Sequence, residues 1–225
     1  MHWADVVAEQ LAERADSHIV ATGIPPSGPI HVGNMREVLT ADLIVRACED
    51  RGLDAELVYI ADSADPLRKV YPFLDESYAE WVGHPLAEIP APEGDGSYAD
   101  YFLKPFFEAL REVGVAPRVV DNHTAYREGR FADCTRAAVE SAARAREILE
   151  RVSGRQLPRD WFPWTCRDSD GRLVEGRVTK CEWPILEFEN EAGETVRNNL
   201  AKGEGKLPWR LDWPTLRSVA NCGSR

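Results

Sequence analysis

The chain has 225 residues and a formal net charge of −11, and 44% of its residues are hydrophobic. This length suits one α/β domain with an insertion. The acidic charge argues against a general nucleic-acid-binding protein, although a local basic patch on an acidic surface is still compatible with RNA binding. No stretch is long and apolar enough to cross a membrane, and the N-terminus has no signal-peptide pattern, which predicts a cytoplasmic protein.

Two features of the composition indicate the environment of the protein. Only five of the 27 basic residues are lysines, and this acidic, arginine-rich composition is typical of salt-adapted proteins, so we expect a halophile. The five cysteines are scattered and odd in number, which favours reduced thiols over a disulfide framework.

The first part of the chain has the pattern of a helix followed by a strand–helix–strand unit. Residues 1–16 have the apolar spacing of an amphipathic helix. A β-branched run, Ile19–Thr22, ends at Gly23 and leads into a loop rich in proline and glycine. A helix follows as far as Gly52, and Leu57–Ile60 is the next β-branched run. This order predicts two parallel strands joined by a crossover helix.

Chemically useful residues lie where this loop meets the helix. The first turn of a helix has unpaired N–H groups and a partial positive charge, which suit phosphate. His31 stands there and is able to donate hydrogen bonds to phosphoryl oxygens, Gly33 leaves room for a flat ring, and Asn34 adds a polar side chain. A lone His-x-Gly is more often a helix-capping histidine with a packing glycine, so both interpretations stay open.

The longer run Gly23–Asn34, GIPPSGPIHVGN, is more specific. It resembles the HIGH signature of class I aminoacyl-tRNA synthetases, and in detail it is similar to the class I lysyl-tRNA synthetases of archaea and some bacteria. Four other stretches resemble the same family, namely His2–Asp5, Asp62–Val70, Ser97–Ala99 and Lys206–Pro214. The resemblance implies an α/β fold: the first half of a Rossmann-like nucleotide-binding fold, a parallel sheet with helices, plus a small strand-rich insertion.

The resemblance also implies a reaction and its participants. Lysine and ATP, the latter with Mg²⁺, would form lysyl-adenylate, and the lysyl group would pass to tRNA(Lys). Catalytic roles are implied for His31, which would stabilise phosphate oxygens, and for Asn34, which stands where many class I enzymes have a second histidine. The residues implied to bind ATP are Pro26, Ser27, Gly28, His31, Val32, Gly33 and Asn34. The residues implied to bind the amino acid are Gly23, Ser27, Asp62 and Asp65.

Asp62 and Asp65 follow the second predicted strand. Ligands bind beyond the carboxyl ends of parallel strands, and the ammonium group of lysine needs a carboxylate partner, so both aspartates are candidates for holding the amino acid. The alternative is an Asx turn and a helix cap before Pro66. The sequence does not decide between these two interpretations.

We expect the chain to divide into three segments. Residues 1–155 would form the N-terminal half of the catalytic domain with the HIGH-type motif, residues 156–214 a strand-rich insertion, and residues 215–225 a tail without family pattern. Apolar spacing predicts helices at Tyr98–Val113 and Gly129–Val152. The further predicted strands are Arg118–Val120, Arg172–Val174, Ile185–Phe188 and Thr195–Arg197.

A metal site is not expected. Some members of the resembled family have metal-binding cysteine and histidine near residues 94–101, where this chain has neither. The insertion contains only Cys166 and Cys181, without near neighbours and without histidine, whereas structural zinc normally has four ligands in paired spacing. We therefore predict no bound zinc.

The chain also departs from the resembled family. It contains no Lys-x-Ser-Lys motif of the KMSKS loop, and relatives continue after the position of Pro214 into a second half of the nucleotide fold and an anticodon-binding domain. We therefore expect an incomplete, weakly active or inactive lysine-tRNA ligase, with a second polypeptide as one source of the missing half. Two alternatives remain, namely a non-catalytic synthetase paralogue that binds tRNA or a partner protein, and another His-x-Gly nucleotidyltransferase.

Overall fold

The computed structural model of the chain describes residues 2–221, the last six of them by their backbone alone. The described chain forms two compact units. The first unit contains residues 2–63 and 86–122, and the second contains residues 64–85 and the remainder of the described chain from residue 123.

Helices and strands alternate in the first unit, and the second combines helices with short strands. The helices are α1 (Trp3–Ala12), α2 (Val32–Glu49), α3 (Tyr98–Glu112), α4 (Asn122–Arg127), α5 (Ala132–Glu140), α6 (Ala142–Ser153) and α7 (Trp209–Asn221). The strands are β1 (Ser17–Ile24), β2 (Asp54–Ala61), β3 (Arg118–Asp121), β4 (Thr165–Arg167), β5 (Leu173–Val174), β6 (Arg177–Glu182), β7 (Ile185–Glu189), β8 (Thr195–Asn199) and β9 (Gly205–Lys206).

The first unit is built on a parallel sheet in the order β1-β2-β3. The register pairs Ile24 with Ala61 and Ala61 with Asp121, so the three strands reach their carboxyl ends together. The β-branched and aromatic residues of β2 form its most buried stretch, since residues 57–61 are all buried. The predicted parallel sheet with helices is therefore confirmed.

The second unit contains two small antiparallel sheets, in the orders β5-β4-β9 and β6-β7-β8. The predicted strand-rich character is confirmed, although β4, β6 and β9 were not predicted. The predicted continuous helix at Gly129–Val152 is wrong, because it is interrupted at Ser141 and forms α5 and α6 instead. Ser141 has φ −109° and ψ 24°, which lies outside the helical region.

The expected segment boundaries at residues 155 and 214 remain predictions. Residues 123–155 group with the second unit. Helix α7 begins before Pro214 and continues through it to Asn221, and residues 222–225, including Cys222, lie outside the described residues. Among the helices of the described chain, none combines the length and the apolar character needed to cross a bilayer.

Candidate functional site

The loop after β1 ends at His31, which caps the N-terminus of α2. The backbone N–H of Gly33 donates to His31 Nδ1 at 3.1 Å, and the backbone N–H of His31 donates to Asn34 Oδ1 at 3.2 Å. This reciprocal pair satisfies donors at the start of the helix. Because Nδ1 accepts a hydrogen bond, the neutral imidazole carries its proton on Nε2. His31 is exposed, so this N–H is accessible to a ligand.

Gly33 allows this cap to form. A Cβ atom at this position would lie 2.9 Å from His31 Cε1 and 3.0 Å from His31 Nδ1, so the ring would have to move. The flat ring that lies against Gly33 in the structure is therefore the imidazole of His31. An adenine ring at this backbone position remains a prediction.

The loop before His31 is anchored at Ser27. The backbone N–H of Ser27 donates to the carbonyl of Pro25 at 2.8 Å, and the hydroxyl of Tyr98, at the start of α3, donates to the carbonyl of Ser27 at 2.8 Å. Tyr98 is fully buried, so this hydrogen bond ties the loop to the core of the first unit. The predicted ligands Pro26, Ser27 and Gly28 in this loop are buried or half-buried, and Gly23, near the end of β1, is buried.

A cavity of about 830 Å³ opens beside His31 in the first unit. The first turns of α2, residues 93–95 and one side of α3 bound it, and the predicted ligands His31 and Val32 lie in its lining. Its charged lining residues are Glu93, Asp95, Asp100 and Lys104. The volume suits a nucleotide. Because the cavity has three carboxylates and only one ammonium, most of its lining repels a phosphate group. The edge at His31 is therefore the favoured place for phosphate.

Side-chain hydrogen bonds join the carboxyl ends of β2 and β3. Asn122 Nδ2 donates to Asp62 Oδ1, and Ser63 Oγ donates to Asp121 Oδ2. Asp62 is 7% exposed, and Ser63 and Asn122 are fully buried. The backbone N–H of Asp62 donates to the carbonyl of Ile24, the last residue of β1, at 3.4 Å. All three strand ends are therefore linked at Asp62, which the sequence predicts to bind the amino acid.

A second polar pair ties β1 to α2. Thr22 Oγ1 donates to Glu37 Oε1 at 3.0 Å. Tyr59, which pairs with Thr22 in the sheet register, is fully buried. Burial, together with the nearby carboxylates of Glu37 and Asp62, raises the pKa of the Tyr59 phenol well above its usual value, so the phenol is neutral at neutral pH. Within the described chain, the Tyr59 hydroxyl has no hydrogen-bond partner.

Asp65, the other predicted carboxylate, belongs to the second unit and to a buried ion network. Lys206 Nζ lies 2.8 Å from Asp65 Oδ1 and 3.2 Å from Asp212 Oδ2. Tyr126 donates its hydroxyl to Asp212 Oδ1 at 2.6 Å, and Arg68 Nη2 lies 3.2 Å from Asp65 Oδ2. The side chains of Lys206 and Asp212 are only 6% and 1% exposed. Asp65 therefore contacts the ammonium of Lys206, a residue of the chain itself and not a free lysine.

A parallel sheet whose first strand leads through a glycine- and proline-rich loop to a helix N-terminus is the arrangement of α/β nucleotide-binding proteins. The family described as class I tRNA synthetases (K) matches residues 1–220 of this chain. The chain belongs to this family. The match includes residues 215–220, for which the sequence analysis found no family pattern.

Several curated relatives are similar to nearly the whole chain. The lysine–tRNA ligase 1 of Methanosarcina acetivorans is 48% identical over 223 residues, which cover 97% of this chain and 42% of the relative. The lysine–tRNA ligase of Methanosarcina barkeri is 47% identical, and the match covers 97% of this chain and 41% of the relative. The lysine–tRNA ligase of Archaeoglobus fulgidus is 45% identical, and the match covers 95% of this chain and 43% of the relative. The chain therefore spans about 42% of the length of these relatives.

The structure brings some predicted residues together and separates others. His31, Gly33 and Asn34 form one hydrogen-bonded group at the start of α2. Asp62 and Asp65 fall in different units. Residues 62–75 contain no helix, so the helix cap in the alternative for the two aspartates is wrong, whereas the Asx turn in that alternative stays a prediction.

Sequence reasoning missed the partners of both aspartates. Asn122 follows β3 directly, as Asp62 follows β2, so the rule that ligands meet at strand ends would have indicated it. Lys206 and Asp212 lie in a stretch that was identified only by resemblance. The pairing of Lys206 with Asp65 joins residues 141 positions apart and has no local signal.

Proposed function

We propose that this chain provides the ATP- and lysine-binding part of a lysine-tRNA ligase. Membership of the class I tRNA synthetase (K) family and the printed names of the relatives support this proposal. The observation that carries it is the cap at α2. The hydrogen bond from Gly33 to His31 Nδ1 leaves the Nε2–H of an exposed histidine as a donor at a helix N-terminus.

In the proposed reaction, the carboxylate of lysine attacks the α-phosphorus of ATP and pyrophosphate leaves, which gives lysyl-adenylate. Negative charge builds on the phosphoryl oxygens as the new P–O bond forms. His31 donates its Nε2–H to these oxygens, and the N-terminus of α2 adds partial positive charge. Asn34 contributes by accepting the backbone N–H of His31, which fixes the position of the cap.

The proposed amino-acid site lies at the ends of the strands. Asp62 would accept an ammonium group of lysine, because its carboxylate is held at the edge of the sheet where α/β proteins bind ligands. Gly23, near the end of β1, and Ser27, in the loop after β1, would line the same site. Asp65 remains a proposed ligand only in competition with Lys206, which already contacts its carboxylate at 2.8 Å.

The other participants follow from the proposed reaction. ATP would bind as its magnesium complex, so the Mg²⁺ ion is part of the substrate. The tRNA(Lys) would accept the lysyl group, and the reaction would take place in the cytoplasm with the rest of translation. The second polypeptide considered in the sequence analysis stays a prediction.

Calorimetric titration of the full chain with ATP in high salt tests the role of His31. The comparison uses wild type, His31→Ala and the matched control His18→Ala. His18 lies near the amino end of β1, where its Nε2 is 2.8 Å from the carbonyl of Ala15, away from the proposed site. We expect wild type and the control to bind ATP alike and His31→Ala to bind about tenfold more weakly or worse.

Equal affinity of the two histidine variants would refute the proposed phosphate contact. Titration of wild type with other ligands separates the alternatives. Preference for CTP over ATP would indicate another nucleotidyltransferase. Binding of tRNA(Lys) without binding of ATP or lysine would indicate a non-catalytic paralogue.

A further inference from the structure

The hydrogen bonds at the ends of β2 and β3 form a strand-end bracket, defined as Asp62, Ser63, Asp121 and Asn122. Two consecutive residues of one strand end contact two consecutive residues of the other: Asn122 donates to Asp62, and Ser63 donates to Asp121. The α2 cap and the proposed phosphate contacts do not use this bracket. Its position beside the end of β1 relates it to the proposed amino-acid site.

We propose that Asn122 is the positioning residue for Asp62 in lysine binding. This inference rests on the proposed function, because it concerns how Asp62 receives the ammonium group of lysine. Asn122 would not touch lysine. It fixes the direction of the Asp62 carboxylate through the hydrogen bond from Nδ2 to Oδ1.

The chemistry of the amide suits this role. A carboxylate at a buried strand end needs hydrogen bonds, since an unsatisfied buried charge is costly. The Asn122 amide supplies one from a neutral donor, so this bond directs the carboxylate without adding a positive charge. The ammonium of Lys206 acts differently on Asp65, because it supplies a hydrogen bond and a compensating charge together. Asn122 is fully buried, so its side chain is held in place.

The bracket itself provides a matched control. The bond from Ser63 to Asp121 joins the same two strand ends but does not involve the Asp62 carboxylate. If the bracket only stabilises the sheet, loss of either bond should have the same effect on lysine binding. If Asn122 positions Asp62, only loss of the Asn122 bond should weaken lysine binding.

The test is calorimetric titration of L-lysine into the full chain as wild type, Asn122→Ala and Ser63→Ala, with urea unfolding of each. We expect Asn122→Ala to weaken lysine binding about tenfold and Ser63→Ala to change it less than about twofold. If Asn122→Ala does not fold, Asn122→Leu keeps a similar volume without the donor, and the same loss is expected. Equal losses in the Asn122 and Ser63 variants would overturn the inference.

A double-mutant cycle separates positioning from general stability. In an Asp62→Asn background, Asn122→Ala should no longer change lysine affinity, because the carboxylate that it positions is absent. An unchanged tenfold loss in that background would also overturn the inference. Failure of wild type to bind lysine would refute the proposed function itself, whereas normal binding by wild type and Asn122→Ala would refute only the role of Asn122.

Discussion

Two aspartates only three residues apart in sequence are held in opposite ways in the two units. In the first unit, Asp62 accepts a hydrogen bond from the neutral amide of Asn122. In the second unit, Asp65 contacts the ammonium of Lys206 and the guanidinium of Arg68. A neutral partner orients a carboxylate, whereas a cationic partner also neutralises it.

The same contrast separates ligand binding from stability. The buried charges of the second unit compensate each other, and a buried ion pair that loses one partner destabilises a protein strongly. The polar groups proposed to bind substrate in the first unit are an exposed helix cap and a strand-end carboxylate that accepts a hydrogen bond from an amide. We therefore expect mutations in the ion network to act mainly on folding and mutations at His31 to act mainly on binding.

The largest effect is expected for Lys206→Met. Removal of the ammonium leaves Asp65 and Asp212 without their shared cation in a buried site, which should cost about 3–5 kcal/mol of unfolding free energy. Urea unfolding at neutral pH measures this loss. Lys202→Met, an exposed lysine of the same unit, is the control and should cost little. A similar small cost for both variants would contradict a stabilising role of the network.

A smaller effect is expected for Gly33→Ala. The new Cβ would push the His31 ring from its place, which should cost about 1–3 kcal/mol, partly offset by the better helix propensity of alanine, about 1 kcal/mol. We expect a modest net change in stability together with weaker ATP binding. Thr40→Ala, at an exposed position of α2, is the control. Unchanged ATP affinity in Gly33→Ala would show that the ring position does not matter for the nucleotide.

The smallest effect concerns a pair at the edge of the first unit. The Arg118 guanidinium donates to both oxygens of Glu56, at 2.6 and 2.8 Å, and this hydrogen bonding lowers the pKa of Glu56 below its usual value of 4.5. The resulting stability is present above the unfolded pKa and is lost as the pH falls through the folded pKa. Because both side chains are partly exposed, we expect less than about 1 kcal/mol.

Unfolding of Glu56→Gln and wild type at pH 7 and pH 3 measures this contribution. The variant should be slightly less stable than wild type at pH 7, and the difference should be smaller at pH 3. A difference that is the same at both pH values would exclude an ionic contribution from the pair.

The local elements were predictable because their signals are local. The β-branched run at Ile19–Thr22 predicted β1, and the strand at Arg118–Val120 was predicted with an error of one residue. The long helix at Gly129–Val152 was not, because its alanine-rich pattern continues through Ser141, where the backbone leaves the helical region. Apolar spacing indicates which residues favour a helix, but it does not indicate where the backbone leaves the helical conformation.

The site was predictable only where it is contiguous in sequence. His31, Gly33 and Asn34 lie within one turn of helix, so a cap at His31 with Gly33 as a packing residue was an open alternative from the start, whereas the capping role of Asn34 was not predicted. The link between Asp62 and Asn122 spans 60 residues, and the link between Asp65 and Lys206 spans 141. Such pairs depend on tertiary structure, so sequence alone could name the aspartates but not distinguish their environments.

The most direct test of the proposed site is binding of lysyl-sulfamoyl-adenosine, a stable analogue of lysyl-adenylate, to the full chain by calorimetry. Wild type, His31→Ala and Asp62→Asn would be compared. The account predicts saturable one-to-one binding by wild type and a loss of about tenfold or more in each variant. Absence of binding by folded wild type, or equal affinity in all three proteins, would contradict it.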